Sequence, residues 1–439
     1  MKEKRAPHDP ALPGLAELVS VEGLPGALAD AAASIGLSGQ FERAQLEYVR
    51  YRPGLRCTLL WSLTGSQALF SATLLSKEGE ARWADHAGFK QLARGPTSAR
   101  STYLSSQRLL MQAFPEDIGL PGLGSATSDG WALGLLATSD ARIRITPWRY
   151  RPQLACVLEY ALERAGSRSR YFAKVYGDER HRTVWSALEQ LRGSEPGWRF
   201  APPVAYDAEA GVVVSEAIEG RSVAETLEAA SADAEARAGL LGQIGHIAGL
   251  LPALQARSID GLPTLSAREK LTALRKRVRR VTVVAAHEGE LLAALCDELQ
   301  ERHAEMEDEP IATAHGAFRD GQVLLTDNEP VVLDLDGLCR AGANVDAGTF
   351  LASLDRIAVC QPRLTAVAEA CVAAFADAVR RQPSYSPEWL AWHRAAGIAK
   401  KALHSISSLD ARWPERIEAL AERARATLGA TPARSKLGG

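Results

Sequence analysis

Ile311-Ala-Thr-Ala-His315-Gly316-Ala317-Phe318-Arg319-Asp320-Gly321-Gln322-Val323-Leu324-Leu325, followed by Val331-Val-Leu-Asp334-Leu-Asp336-Gly337, is the stretch on which the fold turns. It reads as strand, loop, strand and turn, with carboxylates where the strands end. Asp334 and Asp336 flank one apolar residue, so on a β pattern their side chains point the same way. Two like-facing carboxylates repel unless a cation neutralises them. Mg2+ carried with nucleotide phosphates is such a cation, because it takes one or two protein carboxylates together with substrate oxygens. Gln322 adds an amide oxygen to that set. The competing reading is a β-hairpin with an acidic, solvated end.

Working outward, the next informative residue is Lys174. The chain holds 10 lysines and 41 arginines, and Lys174 is the only lysine between Lys90 and Lys270. It sits in an apolar strand pattern, Tyr171-Phe-Ala-Lys174-Val-Tyr176. A buried ammonium needs anionic partners, and a compact charge on a flexible stem suits phosphate oxygens. The alternative is a lysine on the solvent face of an edge strand. Glu189 follows in the helix expected over 179–192. A strand lysine paired with a glutamate on the next helix is the device that holds α- and β-phosphates in kinases.

An internal repeat surrounds that lysine. Arg50-Tyr-Arg-Pro-Gly-Leu-Arg-Cys57 lines up with Arg149-Tyr-Arg-Pro-Gln-Leu-Ala-Cys156, and each copy is followed by a turn and another strand. Lys174 in the second copy corresponds to Thr73 in the first. The expected order is a helix near Leu28–Ile35, strands over 45–75, helix over 80–115, loop over 116–130, strands from Trp131 to Tyr176, a helix, and strands at 203–207 and 211–217. From Ser222 onward the pattern is helical, broken by the strand-like insert at 311–335.

Composition sets outer limits. The 439 residues carry a net charge of −2, with 46% hydrophobic and 24% charged residues. That fits a globular chain of two or three domains. It gives no global argument for nucleic-acid or anionic-membrane binding. The N-terminus lacks the apolar run of a signal peptide, and no stretch approaches a membrane span. The six scattered cysteines read as reduced core thiols, which points to the cytoplasm.

Together these elements resemble the aminoglycoside phosphotransferase/choline kinase-like family, distant relatives of protein kinases, with maltokinase-like features. The family signature is H-G-D-x-H-x-x-N, a strand pair, then a hydrophobic-Asp-aromatic-acid run. His315 and Gly316 match its start. Asp334 matches the metal-binding acid, Asp336 the second acid, and Asp346 the acid that ties down the following helix. Lys174 matches the phosphate-holding lysine and Glu189 its helix partner. Val212–Gly220 matches the hinge along the nucleotide base, with Ser215, Glu216 and Ala217 as nucleotide contacts. The resemblance implies an α+β, bilobal protein-kinase-like fold that binds ATP and Mg2+. It implies an N-terminal cap at 1–140 containing a degenerate copy of the nucleotide-lobe hairpin. A nucleotide-binding lobe follows at 141–220, then a helical lobe at 221–430 and a disordered tail at 431–439.

The departures divide the functional expectation. Where the family has its catalytic aspartate, this chain has Ala317; Arg319 replaces a histidine, and Gln322 replaces the metal-ligating asparagine. A general base contributes about 10²–10⁴ in rate, whereas phosphoryl transfer rests mainly on positioning and charge neutralisation. One expectation is therefore a phosphotransferase acting on a hydroxyl of a small sugar or aminoglycoside-like molecule. In it His315 lies in the catalytic loop, Asp320 or the substrate replaces the base, and Arg319 contacts the γ-phosphate or stays on the surface. The other is a pseudokinase, a nucleotide-binding regulatory or scaffold module with a protein partner. Trp389 and Trp392, three apart on a C-terminal helix, read first as packing and second as an acceptor wall.

Overall fold

The computed structural model describes residues 3–19, 26–37, 44–63, 68–94, 100–164, 166–192, 199–327 and 329–430. The expected disordered tail, 431–439, lies outside the described residues. Two five-stranded antiparallel sheets follow one another along the chain. In the first, β1 (Ala44–Arg52), β2 (Arg56–Leu63), β3 (Leu69–Leu75), β4 (Ser101–Leu104) and β5 (Leu109–Ala113) lie in the order β1-β2-β3-β5-β4. The second uses β6 (Arg142–Arg151), β7 (Ala155–Arg164), β8 (Ser167–Tyr176), β10 (Pro203–Asp207) and β11 (Val212–Glu216), ordered β6-β7-β8-β11-β10; the short β9 (Arg199–Phe200) joins a different sheet.

The two sheets share one topology. Each is a three-stranded meander, then helix, then a hairpin whose last strand inserts beside the third. Helices Lys77–Trp83 and Ala87–Ala93 occupy the helical position in the first copy, and Arg180–Gln190 occupies it in the second. The repeated R-Y-R-P frame thus marks a unit larger than the hairpin in which it appears.

A second repeated frame, missed in the sequence, explains how each hairpin tip is held. Asp9-x-x-Leu12-Pro-Gly-Leu15 precedes the first copy and Asp117-x-x-Leu120-Pro-Gly-Leu123 the second. All four leucines are buried, as are both aspartates. Asp9 accepts the Tyr51 hydroxyl at 2.7 Å, the Gly54 amide at 2.8 Å and the Ala11 amide at 3.0 Å. Asp117 accepts the Tyr150 hydroxyl, the Gln153 amide and the Gly119 amide, each at 2.8 Å. Gly54 and Gln153 both adopt left-handed backbone, φ 68° and 62°. In each copy one carboxylate fixes the turn that the strand tyrosine and the left-handed residue form. The Gln153 side chain then reaches into the first copy and donates to Thr73 Oγ1 at 2.7 Å, while Thr73 donates to Thr58 at 3.1 Å. The position that carries lysine in the second copy is closed off in the first.

Two expectations about local structure change. Residues 101–113, expected in a helix, form β4 and β5. Every residue of β5 is buried, so it shows no alternation for a sequence pattern to reveal. The strand block expected from Trp131 begins at Arg142, because Asp129–Leu135 is helical.

The apolar core does not divide at residue 140. One cluster joins the first sheet to helices Ala267–Val284, Ala286–Glu305, Pro387–Ser407 and Trp413–Gly429. Residues 3–5 bond across to 409–411. A second cluster joins helices Val223–Ala232, Ala234–Gln255, Val345–Cys360 and Thr365–Val379 to the short strands Val323–Leu325 and Val331–Val332. Trp389 and Trp392 belong to the first cluster, with their indole N–H groups on the Glu307 and Leu299 carbonyls at 3.0 and 2.8 Å. They are buried packing residues that also border a concavity between Arg302–Asp308 and Pro383–Trp392. All six cysteines are free, five of them buried. Among the described residues no single helix is long and apolar enough to cross a membrane.

Asp117→Ala leaves the Tyr150 hydroxyl and two amides without their acceptor, a loss of about 3 kcal/mol. Thermal unfolding of this variant and of Asp9→Ala is expected to begin several degrees below that of the parent chain. Equal melting temperatures would reject the tie.

Candidate functional site

Two loops meet in the 311–346 segment because their flanking strands are nested. Ile311–Ala314 pairs antiparallel with Cys339–Gly342, and Val323–Leu325 pairs with Val331–Val332. Loop 315–322 therefore lies against loop 333–338. At their contact Gly316 has φ 71°, and a Cβ there would lie 2.0 Å from the Gly337 carbonyl oxygen. Only glycine fits. Asp346, buried in the first turn of helix Val345–Cys360, accepts the His315 and Gly316 amides at 2.7 and 2.9 Å.

Asp334 and Asp336 converge, but not through strand alternation. The strand ends at Val332. Asp334 takes left-handed backbone, φ 66° and ψ 70°, and Leu335–Gly337 forms a 3-10 turn. A non-glycine residue in this region carries a backbone cost that surrounding contacts must offset. Here the Leu333 amide bonds the Gln322 carbonyl at 2.8 Å. The turn, not the pleat, aims both carboxylates at Lys174 near the C-terminal end of β8.

Lys174 Nζ donates to Asp334 Oδ1 and to Asp336 Oδ1, each at 2.6 Å. Tyr176, two residues on along β8, donates its hydroxyl to Asp336 Oδ1 at 3.0 Å, and Arg180 approaches Asp336 Oδ2 at 3.7 Å. Gln322 Nε2 donates to Asp334 Oδ2 at 3.0 Å. Burial pushes both carboxyls up, but Lys174 and the Gln322 amide hold Asp334 well below the usual carboxylate range. Asp336 ends raised, by burial and by the Asp334 charge beside it. Burial and both carboxylates push the Tyr176 phenol well above its ordinary value, so it stays a donor.

Glu189 is not part of this cluster. It is exposed on its helix, and the two hydrogen bonds of Lys174 go to the aspartates instead. His315, expected in the catalytic set, is fully buried behind the loop. Its Nε2 bonds the Leu333 carbonyl at 3.0 Å, so it braces the two loops against each other. Asp320 is also buried, in the 3-10 turn Asp320–Gln322. Its amide donates to Ser353 Oγ at 3.2 Å, and its charge is felt by Lys401. It does not line the cavity described next.

The cavity, of about 300 Å³, opens between β8, β11 and the two loops. Lys174, Ser215, Glu216, Arg319, Gln322 and Asp334 line it. Ala217 does not; its amide is spent on the Arg170 carbonyl at 3.1 Å. Sequence reasoning missed Trp148, Arg149 and Arg151 on β6, which also line it, although two of the three lie in the repeated R-Y-R-P frame. Trp148 is 63% exposed, with its ring 5.5 Å from Phe172. A larger concavity, of about 450 Å³, lies between Arg302–Asp308 and Pro383–Trp392, away from the Lys174 cluster.

The donor set suits a hard divalent ion. Gln322 Oε1 is buried without a partner. Rotating that amide would set its oxygen beside Asp334, an orientation that a cation between them would favour. Among the described residues no three His, Cys, Asp or Glu side chains gather into a metal cage. Two carboxylates and one amide instead suit an ion that keeps most positions for substrate oxygens, as Mg2+ does.

No protein-family model matches the chain, and no curated protein matches it. Solved structures do. One is a glucosamine kinase in complex with glucosamine, ADP and inorganic phosphate, 14% identical, covering 88% of this chain and 94% of that one at TM-score 0.46. An aminoglycoside phosphotransferase is 11% identical over 70% of this chain and 99% of its own, at TM-score 0.48. A choline/ethanolamine kinase family protein from Mesorhizobium loti is 14% identical over 71% and 94%, at TM-score 0.45. The geometry of the site, not these likenesses, carries the functional reading below.

The ion pair has a defined acid limit. Asp334 titrates below its unfolded value of about 3.9, so the stabilisation from Lys174 is complete above that pH and lost as pH falls toward the folded value. Lys174→Met is expected to melt below the parent chain at pH 7, with the gap narrowing below about pH 4. A gap that stays constant down to pH 3 would reject the pairing.

Proposed function

We propose that the chain is a bilobal, kinase-like phosphotransferase homologue that binds ATP with Mg2+ in the Lys174 cavity and acts on a hydroxyl of a small molecule. The supporting observation is the ammonium of Lys174 held at 2.6 Å from both Asp334 and Asp336, residues 160 and 162 positions away, on the wall of that cavity. In this reading the second sheet, within 141–220, covers the nucleotide. Ser215 and Glu216 border its base, and Trp148 offers an exposed aromatic face. Residues 221–430 supply the loops, and 1–140 is a cap. Lys174 positions phosphate oxygens once a nucleotide draws it from the aspartates. Asp334, Asp336 and Gln322 would hold the metal, which supplies charge neutralisation for the phosphates. The setting is taken to be cytoplasmic, with no nucleic-acid or membrane partner.

A second reading, the pseudokinase, is favoured by one observation. Loop 315–321 presents no carboxylate to the cavity, since residue 317 is alanine and Asp320 is buried elsewhere. Under this reading the nucleotide binds without transfer and the partner is a protein.

Millimolar Mg·ATP is expected to raise the melting temperature by a few degrees, as binding to the native state requires, and Lys174→Ala is expected to abolish that rise. No rise in the parent chain would overturn both readings. Ala317→Asp separates them: ATP consumption with an added hydroxyl compound should increase by about 10²–10⁴ if the site lacks only its base. Unchanged turnover in a variant that still binds Mg·ATP would favour the pseudokinase.

A further inference from the structure

One extra residue in β6 builds the cationic side of the Lys174 cavity. Along the first part of β6, Ile143 faces Leu162, Ile145 faces Tyr160 and Pro147 faces Leu158 on β7. Those three β7 residues belong to the apolar core, so the odd positions of β6 start on the core face. The register then shifts between Pro147 and Arg149, which leaves Trp148 as the extra residue of a β-bulge. Beyond it the parity is reversed. Tyr150 faces Cys156 and enters the core, while Arg149 faces Val157 and Arg151 faces Ala155 on the other side of the sheet. Without the bulge both guanidinium groups would point into the apolar core, because a slip of one residue moves every later side chain to the opposite face.

The same register brings both arginines to the Lys174 face. Val157 also faces Lys174, and Lys174 faces Val213, so Arg149, Val157, Lys174 and Val213 form one row across four strands. All four line the cavity. Arg149 and Lys174 stand two strands apart, about 10 Å between backbones, with only Val157 between them. The next row holds Arg151, Ala155 and Tyr176, again with a small residue in the centre. From the opposite side, loop 315–322 contributes Arg319, whose Nη1 lies 3.0 Å from where a Cβ on Gly321 would stand. Glycine at 321 thus leaves that guanidinium its place against the loop. The other end of the cavity is aromatic. Phe172, two residues before Lys174, packs against Trp148 at 5.5 Å, with Ser215 directly across on β11. From Phe172 to Tyr176 the strand advances about 13 Å.

Among the described residues, four cations and two carboxylates line this space of about 300 Å³. One carboxylate, Asp334, is already bonded to Lys174, and the other, Glu216, follows Ser215 at the aromatic end. The end that holds Arg149, Arg151 and Arg319 therefore carries excess positive charge, presented as planar donor forks that match phosphate oxygens. The adjoining turn, Pro152-Gln153-Leu154, holds no glycine and so offers phosphate no close backbone approach. It is tied instead by the Gln153 amide on Asp117 and the Gln153 side chain on Thr73, which fixes the backbone from which the two β6 arginines project. We propose that Arg149, Arg151 and Arg319 form a clamp for the terminal phosphate of a nucleoside triphosphate, so that the cavity selects its ligand by the number of phosphates. The base lies at the Trp148–Phe172 end, Lys174 meets the inner phosphates, and guanidinium side chains close on the last one. The clamp rests on the nucleotide reading for the base alone; its own ligand is the oxyanion group.

The test is the ratio of Mg·AMP-PNP affinity to Mg·ADP affinity, measured by calorimetry on the full chain at physiological salt. The parent chain is expected to bind Mg·AMP-PNP about tenfold or more tighter than Mg·ADP. Arg149→Gln, Arg151→Gln and Arg319→Gln should each lower that ratio by weakening Mg·AMP-PNP, with Mg·ADP affinity staying within about twofold of the parent. A merely structural role would weaken both nucleotides together and leave the ratio where it was. Equal affinities in the parent chain would overturn the clamp and spare the nucleotide reading. So would a triphosphate preference that all three variants retain, since the bound metal would then account for it. If neither nucleotide binds, inorganic tripolyphosphate decides the matter. Tripolyphosphate binding that the three substitutions weaken would overturn the nucleotide reading and spare the clamp, and no binding at all would overturn both.

Discussion

Everything in the site depends on one ammonium group bonded to two carboxylates. Lys174 comes from the C-terminal end of a strand, and Asp334 and Asp336 from a turn 160 and 162 residues later. Without Lys174 the two acids would face each other at short range, and Asp334 would have little reason to hold a left-handed backbone. With it, β8 is anchored to the loops that carry Gln322 and Arg319, and a cavity of defined shape opens between them. Around the pair, each neighbouring group serves its geometry. Tyr176 and Arg180 steady Asp336, Gln322 steadies Asp334, and Asp346 and His315 hold the opposite loop from behind.

The duplicated sheet gives that cluster its context. Both copies carry the same meander, the same inserted last strand and the same buried aspartate tying a tyrosine to a left-handed turn residue. They diverge where chemistry is at stake. Lys174 meets two acids, whereas its counterpart Thr73 is sealed by Thr58 and by Gln153 from the other copy. The first copy shares its core with the C-terminal helices, so its strands serve as a wall. The arginines of its R-Y-R-P frame then stand opposite those of the second copy.

The distribution of charge, rather than its total, distinguishes this molecule. A net charge of −2 conceals three arginines on one cavity wall, Arg149, Arg151 and Arg319, beside a local acidic pair. Lysine appears where one compact charge must bridge two acids, at Lys174. The alanine at position 317 removes a carboxylate from the border between these two fields.

Much of this was legible in the residues themselves. The apolar strand around a solitary lysine, the paired aspartates, the glycine after His315 and the R-Y-R-P repeat are local features, and local chemistry constrains them wherever the chain goes. They determined the identity of the central cation and acids and the existence of a duplication. Other readings needed distance in space. Glu189 had the right spacing along the chain, but Lys174 is bonded by Asp334 and Asp336 instead. Asp320 had the right neighbourhood, but a 3-10 turn buries it beside Ser353. The all-buried strand β5 had no alternation to show, and the aspartates tying the hairpins lie more than thirty positions from their tyrosines. The arginines of the cavity wall come from β6 and from loop 315–322, about 170 positions apart. Sequence alone determined which groups exist and which local backbone they prefer; only the tertiary structure decided which of them meet, because an ion pair or a repulsion acts through a few ångströms of space and not through positions along the chain.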